Sequence, residues 1–405
     1  MFKKRISIFG CVVISLFLCA VTFVATFSRM NIIIKNKLSN TADTSQTVSV
    51  DISEQYDKLE EMLKMIELGF VKDYSEDELW EAVYYALAQG LDDAYSTYMT
   101  ADEYDALTDD SDGDFVGIGV HVVYDVDTEG SYIFGVMPDS PAEKAGVLAG
   151  DIIVAVEGDE LNEETYTDCI NNVIGAPGTD VNITLLRGEE RIDVTITRAS
   201  VKSDNVRYVK LDGGIAYIRI FGFADMTVAD EFKRTIAEAQ EDGCTKFIYD
   251  VRNNGGGYLD QICETLDLLL PEGPIINIVD KHGNTTSRDS DADHITGKAV
   301  VLCNDATASA AELFTKALMD YEIAVSVGQT TFGKGTMQVT KLLSDGSALK
   351  LSSYYYNPPS NVSYDGIGIE PDHKVELDEY WEQRFFKMPI EEDAQLQYAI
   401  SLLEE

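Results

Sequence analysis

The stretch that decides the fold runs from Val300 to Tyr321 and reads VVLCNDATASAAELFTKALMDY. Its opening apolar residues predict a short buried strand, and beyond a polar turn Leu313, Ala317 and Tyr321 recur at helical spacing. The stretch therefore predicts a strand followed at once by a helix. Ser309 lies at the start of that helix.

The same alternation of strand and helix extends outward over the C-terminal half of the chain. Ile215–Ile220, Phe247–Val251 and Ile275–Val279 are apolar runs typical of strands, and the segments between them carry apolar residues at helical spacing. Strands that alternate with helices predict an α/β core. We assign this core to residues 201–376 and a helical segment to residues 377–405.

Upstream of the core, residues 114–200 combine short strands and short helices, which predicts a small sheet-based domain. Residues 51–110 carry apolar residues at helical spacing and predict an N-terminal helical region. Residues 30–50 are polar in their second half and suit a linker. The fold class is therefore a multidomain α+β chain with an α/β core.

The N-terminus predicts a membrane anchor. Lys3, Lys4 and Arg5 precede an uncharged stretch over 6–28, which is long enough as a helix to cross a hydrocarbon core of roughly 30 Å. The basic residues should stay in the cytoplasm, so the rest of the chain would lie outside it at the cell membrane. A cleaved signal peptide is the alternative. We assign residues 1–29 to a cytoplasmic stub and a single membrane-spanning helix.

Composition excludes several classes of function. The 405 residues include 31 basic and 71 acidic ones, a formal net charge of −40. Such a chain lacks the basic surface that releases counterions from phosphate backbones, so nucleic acid is not an expected partner. The six cysteines form no CxxC pair and the four histidines are scattered. We therefore expect buried free thiols, no metal site and no cofactor.

Three segments of the α/β part carry the candidate chemistry. Asp250–Gly257 reads DVRNNGGG and follows a buried strand; its glycines allow backbone N–H groups to approach a ligand, although a plain turn or a phosphate loop remains open. Ser309 at a helix start is either a nucleophile at the positive end of the helix or an ordinary N-cap. Lys334 lies between two glycines, either in an exposed turn or buried, where burial would lower its pKa and make it a base for a serine.

Together these segments resemble the carboxyl-terminal processing (tail-specific) proteases, which form the S41 family of serine peptidases. The resemblance rests on DVRNNGGG at 250–257, TASAAEL at 307–313 and TFGKGTMQ at 331–338. It implies a crotonase-like α/β peptidase core. It further implies that Ser309 is the nucleophile and Lys334 the general base, the Ser-Lys form of nucleophilic catalysis.

The resemblance also assigns supporting residues. It implies that Gln338 orients the lysine amine and that backbone N–H groups of Gly255 or Gly256 and of Ala310 form the oxyanion hole. Outside these segments, LDDAYSTY at 91–98 and GIGIEPD at 366–372 are similar to further family sequences.

Residues 114–200 resemble a PDZ domain. Val116, Gly117, Ile118 and Gly119 lie in a segment similar to the PDZ carboxylate-binding loop, and SPAEKAG at 140–146 is typical of such domains. PDZ domains bind a peptide by strand addition and capture its terminal carboxylate on loop amides. The resemblance therefore implies peptide binding by these four residues.

The leading hypothesis is a serine endopeptidase that cleaves proteins recognised by their C-terminal tails through the PDZ domain. Its partners would be proteins or peptides with exposed tails, and the N-terminal helices are candidates for a homodimer contact. A catalytically inert, membrane-tethered PDZ scaffold is the alternative. A hydrolase based on His282, His294 or His373 has no serine motif of the GxSxG type nearby.

Overall fold

The structure is a computed structural model that describes residues 52–109, 115–202 and 204–404. The predicted membrane anchor and linker lie outside these residues. In the part of the chain that the structure describes, no helix combines the length and the apolarity needed to span a membrane. The described chain divides into a unit that ends at Ser75 and a second unit over Glu76–Glu405.

Helix α1 (Ser53–Gly69) belongs to the first unit. Its apolar side chains remain exposed: Met62, Met65 and Leu68 are among them. In this unit the helix therefore has no core of its own. Isolated helices of this length gain little stability from propensity alone.

The second unit begins with α2 (Glu76–Gln89), strand β1 (Thr97–Met99) and α3 (Ala101–Asp109). The sequence predicted helices here but not β1. The strand forms because it pairs antiparallel with a strand near the end of the chain, and its Tyr98 is buried in that contact. Local propensity does not encode such a long-range pairing.

The next part of the second unit is a small sheet-based domain. Its main sheet has the order β3-β4-β5-β7-β8, with β6 paired to β5, and two short helices complete it. Its inward-facing side chains, such as Ile133, Val181 and Ile196, form a separate apolar core. The elements are β2 (Phe115–Gly117), β3 (Val120–Asp125), β4 (Gly130–Val136), α4 (Pro141–Lys144), β5 (Ile152–Val156), β6 (Asp159–Glu160), α5 (Tyr166–Asn171), β7 (Asp180–Arg187), β8 (Glu190–Thr197) and β9 (Ala199–Val201).

The α/β core contains a six-stranded sheet whose strands are parallel except for the antiparallel edge strand β10. Helices cover both faces: Phe232, Ile262 and Phe314 pack on one face, and Leu396 and Leu403 on the other. Double coverage explains the continuous apolar runs in the strands. In sheet order the strands are β10 (Val206–Leu211), β11 (Ile215–Ile220), β12 (Lys246–Asp250), β15 (Lys298–Cys303), β16 (Ala324–Gly328) and β19 (His373–Lys374); the helices are α6 (Val228–Glu241), α7 (Leu259–Asp267), α8 (Ala310–Asp320), α9 (Glu379–Glu382) and α10 (Ala394–Glu404), with 3-10 turns at Phe385–Lys387 and Ile390–Glu392.

A second, antiparallel sheet lies beside this core. It has the order β1-β18-β13-β14, with β17 paired to β18. Its remaining strands are β13 (Gly273–Asp280), β14 (Thr285–Ser290), β17 (Thr336–Leu342) and β18 (Ala348–Asn357). Strand–helix alternation did not predict this sheet as a separate layer. Through it the helical N-terminal region of the second unit joins the part of the chain that carries Lys334.

The small domain contacts the core through aromatic rings and ion pairs. Phe134 on β4 stacks on Phe386 with ring centroids 4.1 Å apart. Lys387 donates to the buried Asp125 at 2.5 Å, and Arg384 pairs with Asp127. Because Asp125 is almost completely buried, its pair with Lys387 is stronger evidence of a fixed contact than an exposed pair would be.

Candidate active site

The candidate site lies where the parallel neighbours β12 and β15 end. The loops that follow them leave the sheet at the same edge. The Asn253 N–H donates to Asn304 Oδ1 at 2.9 Å. The Ala308 N–H donates to the Asn254 carbonyl at 2.9 Å. The glycine turn and the start of α8, two separate motifs in the sequence, are therefore parts of one structure.

Ser309 occupies the turn between β15 and α8. Its backbone angles, φ 57° and ψ −121°, lie outside the regions that L residues ordinarily occupy, so this turn is strained. Its N–H donates to Glu312 Oε2 at 2.9 Å. The side chain stands at the N-terminal end of a helix, where a developing negative charge is stabilised. Ser309 therefore holds the N-cap position of α8, but its backbone lies outside the extended region of an ordinary N-cap, and such strain is typical of functional residues.

The three residues predicted for the oxyanion hole differ in what their backbones do. Gly255 and Ala310 line the same cavity as Ser309. The Gly256 N–H donates to Asn254 Oδ1 at 2.9 Å, so this donor is engaged within the turn. The geometry therefore favours Gly255 and Ala310 as donors, and all three assignments remain predictions.

Gly256 instead allows the glycine turn to approach the serine. Its φ is +95°, and a Cβ there would lie 2.7 Å from Ser309 Cβ and 2.8 Å from the Ala310 nitrogen. Real Cβ atoms do not show such contacts. Either the turn or the nucleophile must move if a side chain is added.

We expect Gly256→Ala to lower kcat/KM by about 10²–10³-fold, the size of effect caused by loss of an oxyanion-hole donor. The added methyl group would displace the turn from Ser309. Cleavage of a peptide with a fluorophore and quencher measures the effect. Gly222→Ala is the matched control, because its Cβ would meet nothing closer than 3.9 Å. Equal activity of Gly256→Ala and the parent would contradict this account of the turn.

Glu312 is a site residue that sequence reasoning missed. Its buried carboxylate accepts the Ser309 N–H at 2.9 Å and the Lys334 N–H at 2.8 Å. It also accepts the Gly333 N–H at 2.6 Å and the Thr331 hydroxyl at 2.6 Å. Burial raises the pKa of this carboxyl, and the four hydrogen bonds oppose that shift. One side chain thus ties the loop of the candidate base to the turn of the candidate nucleophile.

The spacing of Ser309 and Glu312 was the available signal. A serine followed three residues later by glutamate at a helix start is the capping-box pattern. The pattern predicts contact between the two residues. It does not predict that the carboxylate also binds a distant loop.

Lys334 is half-buried, and its amine lies 4.3 Å from the centre of the Tyr95 ring. Burial lowers the pKa of this lysine, and the nearby charge of Lys350 lowers it further, while Asp93 and Glu312 act in the opposite sense. Lys334 and Ser309 line the same cavity. Among the described residues no hydrogen bond joins their side chains, because the amine rests on the aromatic ring.

Tyr356 holds the loop that carries Lys334. Its hydroxyl donates to the Lys334 carbonyl, and its side chain lines the same cavity as Ser309. Burial raises the pKa of Tyr356, so its hydroxyl stays protonated. Its single proton is held by the Lys334 carbonyl, so Tyr356 fixes the backbone of the lysine loop.

Gln338 also lines the cavity, but its amide contacts a different residue from the predicted one. Gln338 Nε2 donates to Ser352 Oγ at 3.0 Å, and the Ser352 N–H donates to Ser96 Oγ at 3.0 Å. Ser96 in turn donates to Asp93. The role of Gln338 as the orienter of Lys334 remains a prediction. The LDDAYSTY segment therefore contacts Lys334 through Tyr95 and the strand beside Gln338 through Ser96, which the sequence did not indicate.

The cavity beside Ser309 has a volume of about 430 Å³. Its walls are mostly apolar and include Leu259, Ile262, Ile276, Leu313 and Met337. Such a cavity can accept an apolar side chain of a peptide whose neighbouring peptide bond lies at Ser309.

The four residues predicted to bind peptide lie at the start of the small domain. Val116 and Gly117 pair with β9, and the Ile118 and Gly119 carbonyls accept the N–H groups of Ala142 and Met137. Within the described sheet, β3 is an edge strand that pairs only with β4. An edge strand is where a peptide adds to a PDZ sheet. Peptide binding here remains a prediction.

The described residues contain no cluster of three or more His, Cys, Asp or Glu side chains that could hold a metal ion. His121 packs between the rings of Phe134 and Phe221, and burial lowers its pKa to about 4. The cysteines at 169, 244, 263 and 303 are free and buried, which confirms the prediction of buried thiols for these four.

Comparison with known proteins agrees with the motifs. The model of peptidase family S41 matches residues 214–375, and a PDZ-domain model matches residues 132–187. A probable CtpA-like serine protease of Staphylococcus saprophyticus is 33% identical over 336 residues, 82% of this chain and 67% of that protein. One from Staphylococcus aureus is 31% identical over 353 residues, 86% of this chain and 69% of its own. The chain spans about two thirds of the length of these curated relatives.

Solved structures give the same result for the fold. The photosystem II D1 C-terminal processing protease is 27% identical with a TM-score of 0.50, and the match covers 78% of this chain and 86% of that one. A putative S41 protease from Bacteroides fragilis is 19% identical with a TM-score of 0.55, over 78% of this chain and 87% of that one, and shows likeness of fold. The chain belongs to the S41 family of CtpA-like serine peptidases and carries a PDZ domain.

Proposed function

We propose that the chain is a serine endopeptidase of the carboxyl-terminal processing type, with Ser309 as nucleophile and Lys334 as general base. One observation carries the proposal. The strained serine and the lysine line one cavity, and the carboxylate of Glu312 binds the backbone of both. An N-cap serine and a surface lysine would not need this arrangement.

The reaction would proceed as acyl transfer. The neutral amine of Lys334 leaves the Tyr95 ring and takes the proton of the Ser309 hydroxyl, whose oxygen attacks the peptide carbonyl carbon. The oxyanion is stabilised by backbone N–H groups of Gly255 and Ala310. The protonated Lys334 then gives its proton to the leaving amine. Water then attacks the acyl carbon while Lys334 takes its proton, and Lys334 returns that proton to the Ser309 oxygen as the ester bond breaks.

Substrates would be proteins with an accessible C-terminal tail. The family relative named as a processing protease for the C-terminus of photosystem II protein D1 supports this class of substrate. The unpaired edge of β3 and the amides near Gly117 and Gly119 supply the features by which PDZ domains hold a peptide end. The apolar cavity beside Ser309 suits an apolar residue at the cleaved bond.

We further propose that the chain is anchored in the cell membrane by residues 6–28 and works outside the cytoplasm. The basic cluster before this stretch supports the orientation. The exposed apolar side chains of α1, Met62, Met65 and Leu68, support a contact with a second copy of the chain. Membrane fractionation and measurement of mass in solution test these two proposals.

Tail recognition predicts a specific effect of amidation. We expect the purified chain to cut an unfolded protein internally, and to cut a peptide ending in apolar residues at least tenfold faster with a free C-terminal carboxyl than with an amide, because PDZ loops bind the carboxylate. Mass spectrometry of the products measures both results. Ser309→Ala is the control for contaminating proteases. A chain that binds the free-acid peptide but never shortens it would favour the inert scaffold instead.

A further inference from the structure

The charge of the catalytic cavity is opposite to that of the chain. The chain has 71 acidic and 31 basic residues, yet the charged side chains that line this cavity are two lysines, Lys334 and Lys350. No Asp or Glu side chain lines it among the described residues. The remaining lining residues are apolar, aromatic, hydroxyl-bearing, amide-bearing or glycine.

Lys350 has no role in the mechanism described above. It lies on β18, between Thr97 on β1 and Thr340 on β17, so its cross-strand neighbours carry no charge. It is half-buried, and within the described chain no carboxylate pairs with it and no hydrogen bond involves its amine. In so acidic a protein, a half-buried cation without a carboxylate partner is unexpected.

The position of Lys350 directs it toward substrate. Residues two apart on a strand share a face, so Lys350 shares a face of β18 with Ser352, which accepts a hydrogen bond from Gln338. Both Gln338 and Lys350 line the cavity that contains Ser309. A second positive charge close to Lys334 disfavours its ammonium form. Lys350 accordingly lowers the pKa of Lys334.

We propose that Lys350 is a specificity-determining residue that pairs with a carboxylate of the bound substrate. The carboxylate belongs either to an acidic side chain near the scissile bond or to a chain end held in the cavity. In either case a neighbouring apolar residue of the substrate would pack on the cavity wall. A half-buried cation gains more from such a partner than an exposed one, because solvent screens it less. The inference rests on the proposed peptidase function.

Two other roles make different predictions. If Lys350 only tunes Lys334, its removal changes the rate for every peptide by the same factor. If it only stabilises β18, its removal lowers the melting temperature and leaves peptide preference unchanged. A charge partner for substrate changes the ratio of kcat/KM between an acidic peptide and its neutral counterpart, and that ratio cancels any common effect on the base.

The experiment uses the full-length chain and peptides that carry Asp, Asn or Lys at one position within three residues of the cut. Each peptide is made with a free carboxyl end and with an amide. We expect the parent to favour Asp over Asn at one position by about tenfold, which corresponds to about 1.4 kcal/mol. Lys350→Met should remove the preference, and Lys350→Glu should reverse it in favour of Lys at that position.

Lys341→Met is the matched control, because Lys341 is exposed on the neighbouring strand β17 and does not line the cavity. It should keep the preference of the parent. A preference for the free acid that disappears in Lys350→Met identifies a chain end as the partner, whereas one that persists belongs to the PDZ domain.

The inference is overturned if the parent cleaves Asp and Asn peptides equally and shows no preference for the free acid that Lys350→Met removes. A preference for Asp that survives in both Lys350 variants overturns it as well. Failure of the proposed function looks different: the parent then cuts no peptide of the set, or cuts them no faster than Ser309→Ala.

Discussion

Replacing Ser309 with alanine is expected to reduce kcat/KM by about 10⁴-fold or more, and Lys334→Met should do the same. The first change removes the atom that attacks the carbonyl, and the second removes the base that activates it. The effects of substituting residues that act as a unit are not additive. The double variant should therefore lose no more kcat/KM than either single variant. Cleavage of a fluorogenic peptide under single-turnover conditions measures the loss.

The pH dependence separates this assignment from a histidine-based one. The pKa of Lys334 is lowered by burial and by Lys350, and the amine acts as a base only when it has lost its proton. Activity should therefore rise with pH through a midpoint below the ordinary value for lysine, and not fall again as this group titrates. The melting temperatures of Ser309→Ala and Lys334→Met should match that of the parent. If Ser309→Ala and Lys334→Met retained the rate of the parent, the assignment of Ser309 and Lys334 as the catalytic dyad would be refuted.

Glu312→Gln is expected to cause the second largest effect, a loss of about 10²-fold or more in kcat/KM together with destabilisation. Glu312 Oε1 accepts from Thr331 and Gly333, and Oε2 accepts from Ser309 and Lys334. Whichever way the glutamine amide is turned, its NH₂ group faces at least one backbone N–H, that of Gly333 or those of Ser309 and Lys334, which then has no acceptor. A buried donor left without an acceptor costs about 1–3 kcal/mol, so the free energy of unfolding should fall by roughly 3 kcal/mol.

The loss of activity has a positional cause, because Glu312 does not line the catalytic cavity. Its carboxylate accepts hydrogen bonds from the backbone N–H groups of both Ser309 and Lys334. Glu264→Gln is the matched control: Glu264 is exposed on α7, and its replacement should leave both stability and rate unchanged. Chemical denaturation and peptide kinetics on the same samples measure the two effects. A fully active Glu312→Gln would show that the carboxylate does not position the lysine loop.

The parts of the site that could be read from the sequence are those with local signals. A strand followed by glycines, a serine at a helix start and a lysine between glycines each have a recognisable pattern, and their joint order indicated the S41 family. The strands of the parallel sheet were equally accessible, because burial on both faces makes them continuous apolar runs. The helix starting at Ser309 was predicted one residue early, since the serine itself occupies the strained turn.

Other residues of the site carry no local signal. Tyr95 contacts the amine of Lys334 only because β1 pairs with β18, and the sequence of β1 by itself is too short to predict that pairing. The role of Gln338 as orienter of the lysine amine stays a prediction; the register of β17 on β18 places its amide nitrogen beside Ser352, a contact that the sequence did not indicate. Contacts between distant segments depend on register, which sequence pattern does not fix.

The sequence by itself determined the class of the molecule: an acidic chain with a PDZ domain, an α/β peptidase core and a serine and a lysine in recognisable segments. Only the tertiary structure decided how those segments form a site. Strand ends, the buried carboxylate of Glu312 and the Tyr95 ring that contacts the Lys334 amine meet there from distant parts of the chain. The physical reason is that hydrophobic periodicity and turn chemistry act over a few residues, whereas buried hydrogen bonds and charge environment arise only when the whole chain has packed.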